Sequence, residues 1–73
     1  MQIFELSEEY IHLNQLLKIL HWVNDGSHAN AMIDDGLVKV NGQTEFRRRN
    51  KIKAGTIVEM EGNSVKVVEQ MED

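Results

Sequence analysis

The sequence predicts an α+β fold in which two helices are followed by a run of short strands. Apolar residues recur at helical spacing in the first half of the chain, and their period changes from 3.6 to 2 after Gly36. Asn41-Gly42 then supplies a strong short-range signal for a β-hairpin. A chain of 73 residues is long enough for one domain with a small hydrophobic core, so we expect a single domain over residues 1–73.

The first two elements are a short strand and a helix. Residues 2–6 can form an edge strand or an extended arm. The apolar residues that follow have the i, i+3, i+4, i+7 spacing of an amphipathic helix. They are Leu13, Leu16, Leu17 and Leu20. This spacing predicts a helix over residues 12–21, with Trp22 and Val23 closing onto the core.

A second helix is predicted over residues 26–35. Asp25 and Ser27 precede or begin it, and either side chain can cap the helix by accepting backbone N–H bonds. Its apolar residues repeat the helical spacing at Ala29, Met32 and Ile33. Gly36 follows as a residue that can take a positive φ, which ends many helices.

The remaining chain is predicted to form strands joined by turns. The predicted strands are residues 37–40, 43–46, 56–60 and 65–68. The predicted turns are residues 41–42, 54–55 and 61–64, and residues 71–73 are expected to be frayed.

Residues 47–53, which we call the basic segment, hold five of the eight Lys and Arg residues in a chain of net charge −4. The five are Arg47, Arg48, Arg49, Lys51 and Lys53. Arginine grips phosphate oxygens with two parallel hydrogen bonds, and lysine adds a point charge. Because such a cluster repels itself, we predict that it binds a polyanion. The alternative is a solvated loop whose arginines pair with nearby Asp and Glu.

Several blocks of the sequence resemble the S4 RNA-binding domain family. The first three are Leu13-Asn14-Gln15-Leu16-Leu17, Gly26-Ser27-His28-Ala29 and Ile33-Asp34-Asp35-Gly36-Leu37-Val38-Lys39-Val40-Asn41-Gly42. Ala54-Gly55-Thr56-Ile57-Val58 resembles the family's closing segment, with Thr56 where Asp is common. The resemblance covers about residues 11–60. It is closest to a short stand-alone bacterial subfamily that has an Arg-rich stretch.

This resemblance implies the αL motif, with two helices packed on a small, twisted, mostly antiparallel sheet of four to five short strands. It also implies that structured RNA is bound by the amino end of the second helix and the adjacent loop and strands. Typical members have Ser-Arg at the position of Asp25-Gly26 and a basic residue at that of Asn30. Since this chain lacks both basic residues, we expect the basic segment to contribute more of the binding.

Four further residues are candidate RNA contacts. Ser27, His28 and Asn30 lie near the amino end of the second helix, where free N–H groups and the helix dipole favour a phosphate. An ordinary capped turn is the alternative, because Asp25 competes for the same N–H groups. Lys39 should point outward from its strand, where it can contact a phosphate. The alternative is an exposed lysine that is only solvated.

The remaining residues predict no catalytic or metal chemistry. Trp22 and Phe46 could stack on bases, but we interpret both as core residues because the chain has few aromatic side chains. The three histidines have no ligand spacing and there is no cysteine, so we expect no metal and no other cofactor. No Gly-rich phosphate loop or nucleophile motif is present, which argues against an enzyme.

We therefore interpret the chain as a non-catalytic protein that binds structured RNA. The resemblance makes ribosomal RNA or a ribosome-assembly intermediate the expected target. Two alternatives stay open: a helix-turn-helix DNA-binding protein, and an adaptor whose basic segment docks on an acidic protein. The absence of a signal-like amino terminus and of an apolar run of ~20 residues predicts a cytoplasmic protein without membrane contact. We also expect a monomer without a small-molecule substrate.

Overall fold

The computed structural model describes residues 1–71. In chain order the elements are β1 (Gln2–Leu6), β2 (Ile11–His12), α1 (Leu13–Ile19), α2 (Gly26–Asp34), β3 (Val38–Val40), β4 (Gln43–Thr44), β5 (Lys51–Ile52), β6 (Ile57–Met60) and β7 (Asn63–Glu69). The predicted α+β architecture is confirmed. Glu72 and Asp73, part of the end that was expected to be frayed, lie outside the described residues.

The strands form a five-stranded sheet and a separate two-stranded ladder. The larger sheet has the order β1-β7-β6-β3-β4. Its pairs are antiparallel except for β1 and β7, which run parallel with Gln2 opposite Val65. The smaller ladder pairs β2 with β5, placing Ile11 opposite Ile52. The expected mostly antiparallel sheet is therefore present, and residues 2–6 form its edge strand.

One hydrophobic core joins the helices to the larger sheet. Its members alternate along β6 and β7 and follow the apolar stripe of α1, as the two periods require. They are Leu6, Leu13, Leu16, Leu17, Val23, Ala29, Ile33, Val38, Ile52, Val58, Met60, Val65 and Val67. Ile52 lies within the basic segment and is only 1% exposed, so this segment is also part of the fold.

Helix α1 is shorter than the predicted range of residues 12–21. It begins at Leu13 and ends at Ile19, with Leu20 as the C-cap. His21 then takes a φ of 58°, a left-handed conformation that cannot continue the helix. Beyond it, Val23 is buried and Trp22 packs against the core, as predicted. The Trp22 indole N–H donates to Gln2 Oε1 (3.0 Å), which links the helical layer to β1.

Both ends of α2 are capped by the residues that mark them in the sequence. The Asp25 carboxylate accepts the backbone N–H of His28 (2.8 Å), so Asp25 rather than Ser27 is the N-cap. At the other end Gly36 has a φ of +75°. The N–H groups of Gly36 and Leu37 donate to the carbonyls of Ile33 and Met32, both at 3.1 Å. This pair of bonds is a Schellman motif.

Two tight hairpins shape the larger sheet. Asn41 and Gly42 both have positive φ (51° and 82°), as a type I′ turn requires. Glu61 and Gly62 form a second such turn (47° and 85°), and Met60 pairs directly with Asn63. The predicted turn over residues 61–64 was therefore too long, since two residues suffice and β7 begins at Asn63.

The chain leaves the sheet earlier than predicted after the first hairpin. Strand β4 covers only residues 43–44 instead of 43–46, although the Glu45 N–H still donates to the Val38 carbonyl (2.9 Å). Phe46 follows beyond the edge of the sheet and is 60% exposed. The prediction that Phe46 packs in the core was wrong, because the residue lies beyond the end of β4 and outside the buried core cluster.

We expect Gly36→Ala to destabilise the fold, because an L-residue in the left-handed region costs about 1–2 kcal/mol. An added Cβ would also lie 3.4 Å from Phe46 Cε1. Urea unfolding monitored by Trp22 fluorescence measures the loss. Gly26→Ala is the matched control.

Gly26 lies in the first turn of α2 without a positive φ, and its added Cβ meets only Lys18 Cδ at 3.9 Å. We expect this control to be neutral or to stabilise by up to about 1 kcal/mol, because alanine favours helix. Equal effects of the two substitutions would contradict the conformational role of Gly36.

Candidate nucleic-acid interface

The loop of residues 47–50 is attached to the amino end of α1 by backbone hydrogen bonds. The Leu13 N–H donates to the Asn50 carbonyl (2.9 Å), and the Asn14 N–H donates to the Arg48 carbonyl (3.0 Å). Helix N–H groups at this end lack partners inside the helix, and the N-cap His12 makes no side-chain bond to them. The loop carbonyls therefore cap α1, which fixes the position of the loop.

Within this loop the chain makes a tight turn. The Asn50 N–H donates to the Arg47 carbonyl (3.2 Å), so Arg48 and Arg49 are the two central residues of a β-turn. Both arginine side chains are exposed. The turn thus presents two neighbouring guanidinium groups at the surface.

The Glu45 carboxylate accepts hydrogen bonds from both ends of the turn, Arg47 and Asn50. Its Oε2 accepts the backbone N–H (3.0 Å) and the Nε–H (3.1 Å) of Arg47, and its Oε1 accepts from Arg47 Nη2 (3.0 Å). The same Oε1 accepts from the side-chain amide of Asn50. Hydrogen bonds from the Arg47 side chain lower the pKa of Glu45 to about 2. Glu45 is 15% exposed and Arg47 76%, so the carboxylate is covered while the arginine faces solvent.

Arg48 ties the turn to the carboxyl end of α2. Its Nε–H donates to Asp34 Oδ1 (3.0 Å), and its Nη2 donates to Asp34 Oδ2. The hydrogen bonds from the Arg48 side chain hold the pKa of Asp34 below its usual value. A cation at this end also complements the helix dipole. The salt-bridged loop that we considered as an alternative therefore exists for Arg47 and Arg48.

The other cations of the basic segment remain available. Within residues 1–71, Arg49, Lys51 and Lys53 form no salt bridge. Lys51 Nζ lies 5.0 Å from the centroid of the Tyr10 ring, in a cation–π contact. Four residues of the segment line an open cleft, and they are Arg47, Arg49, Asn50 and Lys51. Asn50 is the one lining residue that the sequence did not indicate as an RNA contact. It is positioned by its bonds with Glu45 and Leu13, and no sequence motif marks such bonds.

The candidates near the amino end of α2 are arranged around Asp25. The His28 Nδ1 accepts the backbone N–H of Asn24 (3.1 Å), and Ser27 is exposed beside it. The Asp25 carboxylate occupies the N–H group of His28 that a phosphate would otherwise use. Asn30 lies further along α2, where its Oδ1 accepts from Asn14 Nδ2 (3.2 Å). RNA contact by Ser27, His28 and Asn30 stays a prediction.

Lys39 lies on the opposite face of β3 from the buried Val38. It is exposed and pairs in register with Thr44 and Glu59. Its side chain thus points outward as predicted, and its contact with phosphate stays a prediction. The structure does not place Lys39 in the cleft of the basic segment.

No group of three or more His, Asp or Glu side chains in residues 1–71 is arranged to hold a metal ion. Neither helix in this range has the length and apolar character needed to cross a membrane.

Comparison with known proteins identifies the family. The sequence model of the S4 domain matches residues 4–68, which is most of the chain. The chain belongs to the S4 domain family. Two relatives are the YbcJ proteins of Escherichia coli (strain K12) and Shigella flexneri. Each is 44% identical over 59 residues, covering 81% of this chain and 84% of the relative.

A solved structure extends this likeness to three dimensions. The solution structure of E. coli YbcJ matches with a TM-score of 0.72 and 42% identity, over 93% of this chain and 87% of that one. It is described as revealing an αL motif involved in RNA binding. The S4 domain of this chain therefore has the αL fold that the sequence predicted.

Glu45→Gln is expected to reduce the acid sensitivity of folding. The pKa of Glu45 falls from 4.5 to about 2 in the folded chain. The ionised carboxylate therefore stabilises the fold above pH 4.5, and this contribution is lost as the pH falls from about 4.5 to about 2. Urea unfolding of the wild type and of Glu45→Gln at pH 7 and pH 3 measures this effect. The difference in unfolding free energy between the two proteins should be smaller at pH 3.

Glu8→Gln, an exposed position outside the turn, controls for the general effect of removing one carboxylate. Its unfolding free energy should follow that of the wild type at both pH values. A Glu45→Gln difference that is equally large at pH 3 would contradict the role assigned to the Glu45–Arg47 pair.

Proposed function

We propose that this S4 domain binds structured RNA without catalysing a reaction, and that the basic segment supplies the main contacts to the RNA backbone. The observation that carries the proposal is the open cleft whose lining residues are three cations and one amide. All four side chains offer hydrogen-bond donors, which are what phosphate oxygens accept. The YbcJ structure, described as an αL motif involved in RNA binding, supports the choice of RNA.

The net charge of −4 does not oppose this proposal, because the charge is unevenly distributed. Charges on an exposed surface act over a Debye length of about 8–10 Å, so a phosphate responds mainly to the local cluster. Among residues 1–71, Arg49 and Lys51 have no carboxylate partner to release before they meet a phosphate. These two residues should contribute most of the salt-dependent attraction.

Arg47 and Arg48 can contribute without breaking their ion pairs. A guanidinium group has five N–H donors, and each of these two arginines uses two side-chain donor groups, Nε and Nη2, on its carboxylate. The arginines are 76% and 52% exposed, so the remaining donors face solvent. Held by Glu45 and Asp34, they lose less side-chain entropy when they bind.

The charge of α2 favours RNA over duplex DNA. A helix that reads the major groove presents basic or amide side chains to phosphates and bases. Helix α2 has no Lys or Arg, and Asp34 and Asp35 lie at its carboxyl end. An A-form RNA surface instead offers phosphates and 2′-hydroxyl groups to a loop. The choice of ribosomal RNA or an assembly intermediate as the target rests on membership of the S4 domain family.

Arg49→Glu should weaken binding to bacterial ribosomal RNA and flatten its salt dependence. Loss of one phosphate contact reduces the slope of log K against log salt by about 0.7–0.9. Filter binding over a series of salt concentrations measures both quantities. Lys66→Glu makes the same change of charge on the outer face of β7, opposite Ile3 and Ile57.

This control should keep the wild-type slope, because Lys66 does not line the cleft. Equal losses in Arg49→Glu and Lys66→Glu would mean that only total charge matters, and the basic segment would not be the site. Duplex DNA of equal length as a competitor should displace the RNA poorly. Efficient displacement would favour the DNA-binding alternative.

Sequencing of the RNA that co-purifies with the protein tests the proposed target. We expect ribosomal RNA or its precursors to be enriched with the wild type and depleted with Arg49→Glu. Enrichment of another RNA class would contradict the target while leaving RNA binding intact. Protein partners that survive ribonuclease treatment and are lost in Arg49→Glu would favour the adaptor alternative.

A further inference from the structure

Phe46 is an exposed aromatic residue that the core does not explain. Phe46 is 60% exposed, and the tip of its ring lies beside Gly36. Cε1 and Cζ lie 3.4 and 3.5 Å from the position of a Cβ built on Gly36, and Thr44 Cγ2 borders the same position. The ring is therefore supported at its tip against the end of α2 while most of its surface faces solvent.

The backbone on both sides of Phe46 is held in place. Glu45 is bonded through its N–H to the Val38 carbonyl (2.9 Å), and its carboxylate accepts the Arg47 N–H (3.0 Å). The Cα atoms of Phe46 and Arg47 are about 3.8 Å apart across one peptide bond. The Phe46 ring and the Arg48 guanidinium group both lie at the carboxyl end of α2, the ring beside Gly36 and the guanidinium group on Asp34, so the ring neighbours the arginine turn.

We propose that Phe46 stacks on an unpaired nucleobase of the RNA whose phosphates occupy the cleft. This inference rests on the proposed function and names the structural class of RNA that the site prefers. A flat aromatic ring stacks on any base face without regard to sequence, and neighbouring cations neutralise the adjacent phosphate. A fully paired helix hides its base faces, whereas bulges, loops and ends expose them.

The neighbouring charges favour a nucleotide over an apolar protein segment as the occupant. Phe46 stands as a single aromatic ring beside Arg47, with Arg48 and Arg49 following in the turn. A protein segment that covered Phe46 would have to desolvate these guanidinium groups or supply carboxylates to them. A nucleotide supplies a base for the ring and a phosphate for the arginines within one unit.

Two RNA duplexes of the same stem sequence provide the test. One is fully paired, and the other carries a single unpaired adenosine in the middle of the stem. Wild-type protein should prefer the bulged duplex in fluorescence-anisotropy titrations. Phe46→Ala should weaken binding to the bulged duplex by about 5- to 150-fold, the range found when stacking aromatics are removed, and leave the paired duplex unchanged.

Phe46→Tyr is the matched control, because it keeps the ring and should retain the preference for the bulge. Urea unfolding of both variants checks the fold, which an exposed side chain should affect little. An equal effect of Phe46→Ala on the two duplexes, or no effect on either, would overturn the stacking role. In that case a continued loss of affinity in Arg49→Glu would still support the proposed function.

Failure of the proposed function has a different signature. In that case the wild type would bind neither duplex nor ribosomal RNA, and Arg49→Glu would have the same affinities as the wild type. If Phe46→Ala instead removed a ribonuclease-resistant protein partner and left both duplex affinities unchanged, the ring would belong to a protein interface and the stacking proposal would be wrong.

Discussion

The amino end of α1 imposes the constraint on which the rest of the structure depends. This helix has seven residues and no side-chain cap, and Leu13, its first residue, is fully buried. A buried N–H group left without a partner costs about 1–3 kcal/mol, which is large for a small domain. The carbonyls of Asn50 and Arg48 meet this need. The most basic stretch of the chain is thereby a structural part of the fold.

Two carboxylates reduce the repulsion among the arginines of the basic segment. Three consecutive arginines would repel one another in an open loop, but Glu45 and Asp34 each take one of them in a two-point ion pair. Ion pairs exposed on both sides, such as Arg48–Asp34, stabilise the fold little by themselves. Their larger effect is on geometry, because they fix which way two guanidinium groups face. Arg49, the third arginine, forms no ion pair within the part of the chain that the structure describes.

Local signals were sufficient for most of the fold. The apolar spacing of α1 and α2, the Asp25 cap, Gly36 and the Asn41-Gly42 turn all act within a few residues, so each could be identified from the sequence. Contacts between residues that are distant in the sequence could not be identified in this way. The pairing of Ile11 with Ile52, the Arg48–Asp34 pair and the exposure of Phe46 depend on how the loop returns to the helices.

The same distinction applies to the candidate site. Composition alone located the basic segment, because five like charges in a short stretch need no alignment to be seen. Which cations are paired, and that Asn50 joins them in a cleft, follow only from tertiary packing.

The parallel pairing of β1 with β7 has a consequence for how the molecule is made. Gln2 pairs with Val65 and Leu6 pairs with Glu69, so β1 stays without this partner until β7 has been synthesised. Until then β7 is absent, and β6 lacks one of its two neighbours. Closure over such a separation is slow compared with the local hairpins. The sheet is therefore completed only after nearly all of the described chain has been translated, and the helices and the β3–β4 hairpin can form earlier.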